Sequence, residues 1–217
     1  ISPEILEQAL ETFTIKDPSQ EIIKQNSAII QAVQNQPEGI LLFLEVIHHT
    51  QNPKIRKSAI GNLFHLVKEH WNDIPPPIQA QAQQSILAII QGELGYDEMN
   101  TMSAIVAHIF VAVQGWNDIL KLICAAYTSQ NHQFTMVYLK EIFPILPSNL
   151  VKELKNTFYN MAFLAIQSED ARTIINSIKI FIIFYMRLKD ITILSPVFQV
   201  LPELLSKSEE FDDQTFG

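Results

Sequence analysis

The chain has 217 residues, of which 47% are hydrophobic and 18% are charged. This composition excludes an intrinsically disordered protein, because disorder requires low hydrophobicity and high charge. With 15 Lys and Arg against 23 Asp and Glu, the net charge is −8, so the chain lacks the bulk positive field that binds nucleic acid or an anionic membrane. The single cysteine, Cys124, excludes an internal disulfide framework and predicts a reducing compartment.

Prolines and apolar periodicity divide the chain into helices. Apolar residues recur every three or four positions, as at Met99, Met102, Val106 and Ile109, and no stretch alternates with a period of two, so we predict no strand. The predicted helices are residues 3–14, 19–35, 38–50, 54–71, 77–93, 97–114, 117–129, 132–143, 148–167 and 170–188, with a partial helix at 196–206.

The two most apolar stretches, residues 102–113 and 174–188, are too short to cross a membrane and are predicted to be buried core helices. His108 lies in the first of them and is expected to be a hydrogen-bonded core histidine. The chain begins at Ile1 rather than with a methionine, and we expect it to be a piece of a longer protein.

A short sequence motif recurs at the start of the second helix of each predicted pair: an apolar residue, a basic or polar residue, two residues of any type and a small residue. The instances are Ile23-Lys24 with Ser27, Ile55-Arg56 with Ala59, Met99-Asn100 with Ser103 and, more weakly, Ala171-Arg172. A period near 40 residues with two helices per unit predicts an all-α HEAT-repeat α-solenoid, a right-handed superhelix of antiparallel helix pairs with about five repeats. We place one array over residues 1–206, with repeats near 1–36, 37–73, 74–115, 116–146 and 147–189 and a partial repeat at 190–206.

The basic residue of this motif has two interpretations. Near the helix start, Arg56 or Lys24 can reach an Asp or Asn in the turn of its own or a neighbouring repeat and satisfy turn groups there. Alternatively, it binds a partner. We favour the structural role for both residues and keep Lys24 as a partner-binding candidate.

Residues 37–71 resemble the amino-terminal region of importin-β-type karyopherins, the nuclear transport receptors. In that region a leucine-rich helix and a polar turn precede an apolar-Arg-x-x-Ala opening, a Leu-centred helix and a terminal Trp. Here those positions are Ile55, Arg56, Ala59, Leu63 and Trp71. The likeness continues to about residue 120, leans toward the importin-4/importin-5 type, and departs at Phe64-His65, where many karyopherins carry a basic or Lys-Asn pair.

The resemblance implies a nuclear transport receptor of the cytoplasm and nucleus, of which this chain would be the amino-terminal part. Karyopherins bind the GTP form of the GTPase Ran through the second helices of their first repeats, bind Phe-Gly nucleoporins between outer helices, and carry cargo proteins. The implied Ran contacts are Lys24, Gln31, Lys57, Asn62, Lys68 and Glu69. A solvated helix face would explain the same residues without a partner. We expect a monomer with no cofactor that binds neither nucleic acid nor membranes.

Roles are also expected for four aromatic residues. Phe158 and Phe163 are predicted to line a groove for Phe-Gly peptides, although most of the 13 phenylalanines must belong to the core. Trp71 and Trp116 are expected to pack against neighbouring helices and close the ends of their hairpins.

The sequence predicts no catalytic or metal site, and therefore a protein that is not an enzyme. Cys124 lies in an apolar stretch, which raises the pKa of a thiol and suppresses its reactivity, and the chain has no G-x-S-x-G, Walker A or H-E-x-x-H motif. Two alternatives stay open: another HEAT-repeat scaffold or adaptor, and a helical enzyme domain, which would need a convergent polar pocket. Residues 207–217 are predicted to be an acidic tail that attracts a basic partner or is a frayed end.

Overall fold

The computed structural model describes residues 1–206, apart from the side chains of residues 203–205, so the predicted acidic tail at 207–217 lies outside the described residues. The described residues form eleven α-helices and three short 3₁₀ turns and contain no β-strand. The helices are α1 Pro3–Thr12, α2 Gln20–Gln34, α3 Gly39–His49, α4 Pro53–His70, α5 Pro76–Ile90, α6 Tyr96–Ala112, α7 Asn117–Thr128, α8 His132–Ile142, α9 Ser148–Ala165, α10 Ala171–Leu188 and α11 Ser195–Ser206. Every predicted helix is confirmed, with ends that differ by at most three residues.

Side chains in the turns fix where several helices begin. Before α4, the Asn52 side chain accepts a hydrogen bond from the Lys54 N–H at 3.0 Å, and Pro53 follows at the first helical position, where its missing N–H is no loss. Before α10, Asp170 accepts from the Thr173 N–H at 2.9 Å. These caps satisfy backbone donors that have no partner inside the helix.

The described residues separate into two compact units, one up to residue 113 and one from residue 114 onward. In the first unit α1 packs on α2 and α3 on α4, while α3 also lies beside α1 and α5, and α4 beside α6. In the second unit α7 packs on α8, α9 on α10, and α8 lies beside α10. Within each unit this pattern is compatible with helical hairpins laid side by side. A single array running through both units stays a prediction.

The recurring motif supplies core residues on α4 and α6. Ile55 and Ala59 in α4 are 4% and 0% exposed, and Ser103 in α6 is fully buried. Trp71 and Trp116 are also buried, at 3% and 6% exposed, as their expected packing role requires.

The prediction that His108 is a core residue is wrong, because its side chain is exposed. At the helical repeat of about 100° per residue, it lies on the opposite side of α6 from Val106 and Phe110, which face the core. The apolarity of a stretch therefore did not reveal which side of the helix is buried. None of the helices among the described residues combines the length and the apolarity needed to cross a membrane.

Candidate partner-binding surface on the second helices

One side of α4 is exposed along its whole length and carries only basic residues and a glycine. These residues recur at intervals of three and four positions and lie within about 40° of the central glycine around the helix axis. We call them the basic face of α4: Lys54, Lys57, Gly61, His65 and Lys68, all of them exposed. The opposite side of the helix buries Ile55, Ala59, Leu63, Leu66 and Val67. The core therefore holds α4 in place without using its basic face.

Two ion pairs connect the start of α4 to the first turn of α6. Arg56 Nε donates to Glu98 Oε1 at 2.8 Å, and the second oxygen of Glu98 accepts from the Gly95 N–H at 2.7 Å. Beside this pair, Lys57 Nζ lies 2.8 Å from Asp97 Oδ2, and that bond raises the pKa of Lys57. Arg56 thus has the structural role expected of it, but its partner is a helical glutamate rather than a turn residue.

The structure places most of the predicted Ran contacts on the surface. Lys24 and Gln31 are exposed on α2, and Lys57, Lys68 and Glu69 are exposed on α4. Nothing in the structure tests whether they touch a partner, so that role stays a prediction.

Asn62 differs from the other predicted contacts because its amide is used inside the first unit. Its Oδ1 accepts from Gln34 Nε2 at 3.0 Å, and its Nδ2 donates to the Ser58 carbonyl at 2.9 Å. The side chain is only half-exposed and connects α2 to α4.

The two phenylalanines predicted to bind Phe-Gly peptides lie in different environments. Phe158 is 1% exposed and its ring packs edge-on against Phe143, with the centroids 5.7 Å apart. It is a core residue and cannot line an open groove, which corrects the expectation for this position. Phe163 is 37% exposed and stacks on Tyr159 with an interplanar angle of 11°, so its ring is available at the surface.

Two lysines bring positive charge together in the second unit. Lys140 on α8 has only 10% of its side chain exposed, and its Nζ lies 3.5 Å from Glu141 Oε1. Burial lowers the pKa of Lys140, the charge of Glu141 opposes this shift, and the charge of Lys179 on α10 adds to it. The second helices of this unit therefore also place basic side chains near one another.

Arg187, at the end of α10, has a structural role that the sequence did not suggest. Its Nη1 donates to the carbonyls of Phe143 and Pro144, at 2.9 and 3.0 Å, and its Nη2 donates to the Leu146 carbonyl at 2.8 Å. These carbonyls lie in the turn that follows α8, where the Phe143 carbonyl also accepts a hydrogen bond from the Leu146 N–H at 3.4 Å. Because the contacts join positions more than 40 residues apart, no local motif could have indicated them.

Tyr138 on α8 places a polar hydroxyl group in the core. Its side chain is fully buried, and its hydroxyl has no hydrogen-bond partner among the described residues. Burial raises the pKa of this phenol. Its ring packs against Phe134, with the centroids 4.4 Å apart, so its position reflects packing rather than hydrogen bonding.

A cavity of about 300 Å³ lies between α3 and α5. Its polar lining includes Glu45, His48 and His49 from α3 and Gln81 and Ser85 from α5. Among the side chains that the structure describes, no group of three His, Cys, Asp or Glu is arranged to hold a metal ion.

Cys124 is half-buried on α7, and burial raises the pKa of its thiol, as the apolar setting predicted. The thiolate is the reactive form of cysteine, so this environment lowers the reactivity of Cys124 at neutral pH.

No protein-family model matches this chain, and no curated protein matches it.

Proposed function

We propose that this chain is a protein-binding module built from HEAT-type helical hairpins, which binds partners on the exposed sides of its second helices. The observation that supports this best is the basic face of α4. Five consecutive outward positions are exposed, while the other side of the same helix supplies the core. Arg56, beside this surface, holds α4 against α6 through its ion pair with Glu98, so a partner would meet a fixed surface.

Ran in its GTP form is the first partner to test, because residues 37–120 resemble the region in which karyopherins bind it. The proposed contacts that lie exposed on α2 and α4 are Lys24, Gln31, Lys57, Lys68 and Glu69. In this proposal the chain takes part in nucleocytoplasmic protein transport, works in the cytoplasm and the nucleus, and binds nucleoporins through Phe163. Cargo proteins would bind elsewhere on the same receptor.

The proposed mechanism is mechanical. In a solenoid each repeat contacts only its neighbours, so small rotations between repeats add up to a change in curvature. A partner that bridges α4 and α6 would stabilise one arrangement of those two helices and shift the population toward it. Cargo affinity would change only as far as the two arrangements bind cargo differently.

The experiment is capture of Ran, loaded with GTP or GDP, by the purified chain and by the double variant Lys57→Glu/Lys68→Glu. We expect the GTP form alone to bind, and the double variant to bind more weakly, with most of the change in on-rate and salt dependence. The matched control is Lys16→Glu/Lys152→Glu, which reverses two exposed lysines that are not part of α4. Absence of capture in both nucleotide states would remove Ran and leave the other HEAT scaffold or adaptor as the function.

A further inference from the structure

We infer that the basic face of α4 binds an acidic segment of a partner protein whose backbone passes directly over Gly61. The inference rests on the proposed use of second helices as docking surfaces and names the chemistry of the partner. Two independent features carry it: a glycine that the fold of this chain does not require, and the positive charge that surrounds it.

Gly61 has no structural reason to be glycine within the first unit. A glycine inside a helix destabilises it relative to alanine, so such a residue usually serves a positive φ or a close internal approach. Gly61 lies in the regular part of α4 and is not among the residues with positive φ. A Cβ built at Gly61 meets nothing within 4 Å.

Gly39, at the start of α3, is a glycine that the fold of the chain does require. A Cβ there would lie 1.9 Å from the Val33 carbonyl oxygen, so neighbouring backbone enforces glycine at that position. Gly61 has no such neighbour. The physical use that remains is to let a backbone from outside the chain come close, since glycine leaves no side chain in its path.

The charge around Gly61 selects an acidic partner. Lys57 lies one turn away along the exposed side, and Lys54 and Lys68 lie two turns away. Lys57 already pairs with Asp97, but among the described side chains no carboxylate pairs with Lys54 or Lys68. Carboxylates that follow this side of the helix would meet positive charge over about 20 Å.

An acidic protein segment fits this surface better than a nucleic acid does. The chain carries a net charge of −8, so a phosphate backbone extending beyond α4 would meet a repulsive field. A short acidic peptide can keep its charges within the basic face. A flat contact over Gly61 also suits a peptide backbone, which approaches closely where both sides have small residues.

The probe is a fluorescein-labelled peptide of 18 residues, the same number as in α4, made of Glu, Ala and Gly. Its control replaces every Glu by Gln. We expect the Glu peptide to bind at low ionic strength and the Gln peptide not to bind, by fluorescence anisotropy. Gly61→Leu should weaken binding of the Glu peptide by about tenfold or more, and Lys54→Glu/Lys68→Glu should abolish it.

Gly61→Leu tests the approach without unfolding the chain, because leucine is a better helix former than glycine and the site is open. Its thermal midpoint should therefore not fall. The control Gln84→Leu adds the same side chain to an exposed position on the first helix α5 and should bind the peptide as well as the unmodified chain does.

Four results would overturn the inference. These are equal binding of the Glu and Gln peptides, unchanged binding by Gly61→Leu, tighter binding of a single-stranded oligothymidylate, and self-association that Gly61→Leu removes, which would make a second copy the occupant. Ran capture separates this inference from the proposed function. Capture of Ran–GTP without binding of the Glu peptide would contradict the inference alone, whereas peptide binding without capture would contradict only the assignment of Ran.

Discussion

Arg56 and Glu98 join two second helices through a largely buried ion pair, while their sequence neighbours Lys57 and Asp97 join the same helices in solvent. The N–O distance is 2.8 Å in both pairs. The side chains of Arg56 and Glu98 are 25% and 7% exposed, and those of Lys57 and Asp97 are 66% and 65% exposed. The two pairs therefore differ mainly in burial, and each serves as the control for the other.

We expect Arg56→Met to lower the free energy of unfolding by about 2–3 kcal/mol, because it leaves the Glu98 carboxylate buried without its charged partner. Lys57→Met should cost much less, since exposed ion pairs are weak. Urea unfolding of the two variants measures both values. Equal losses would mean that the Arg56 pair contributes no more than a surface ion pair.

Removal of the Arg187 guanidinium should destabilise the second unit. Arg187→Met removes the guanidinium donors from the carbonyls of Phe143, Pro144 and Leu146, although the Phe143 carbonyl keeps the Leu146 N–H at 3.4 Å. Two of the lost bonds are partly buried, so we expect a loss of about 2–3 kcal/mol in urea unfolding. Arg187→Lys should recover little of this, because one ammonium cannot reproduce the planar fork. The control is Lys179→Met on the same helix, at an exposed position; a loss as large as that of Arg187→Met would show that the carbonyl contacts are unimportant.

Tyr138→Phe should stabilise the protein, although it removes a polar group. The hydroxyl is buried without a partner in the described residues, so no hydrogen bond offsets the free-energy cost of removing it from water. We expect a gain of about 1 kcal/mol in the free energy of unfolding at neutral pH. A loss of stability would indicate that the hydroxyl has a bonding partner, such as a buried water.

The same variant should change how stability depends on pH. Burial raises the pKa of Tyr138 in the folded chain, whereas in the unfolded chain a tyrosine ionises near pH 10. The stabilisation that comes from this difference in pKa is fully present below the unfolded pKa. It is lost as pH rises above about 10, since only the unfolded state then releases the proton. Urea unfolding between about pH 9 and 11 should show a smaller decline for Tyr138→Phe; parallel curves would contradict the assignment.

The positions of the helices could be predicted because they depend on local features. Proline breaks, caps such as Asn52 and apolar residues every three or four positions all lie within a few residues of the helix they define. The same features predicted that Ile55 and Ala59 would be buried. The role of Arg56 was predicted in kind, since reaching the neighbouring hairpin needs only a long side chain near a helix start.

Features that depend on contacts between distant parts of the chain could not be predicted. The partners of Arg187 and the bond between Gln34 and Asn62 join helices through tertiary packing. Phe158 was placed on the surface because the sequence of α9 does not show which side of the helix meets Phe143. For the same reason the sequence could not show that the space around Gly61 is open.

Truncation of Trp71 tests whether this residue belongs to the core or anchors a partner at the surface. Its burial predicts that it belongs to the core. The residue follows the end of α4, is 3% exposed, and its carbonyl accepts from Gln79 Nε2 at 2.8 Å, a bond that survives side-chain truncation. Trp71→Ala should cost about 3–5 kcal/mol, because it removes a large buried ring and leaves a cavity.

The control for this prediction is Phe13→Ala, which truncates an aromatic residue that is 47% exposed and should therefore cost much less. Chemical unfolding of both variants provides the comparison. If Trp71→Ala costs no more than Phe13→Ala while partner capture falls, the indole is a binding anchor rather than a core residue, and the surface that binds partners extends past the end of α4.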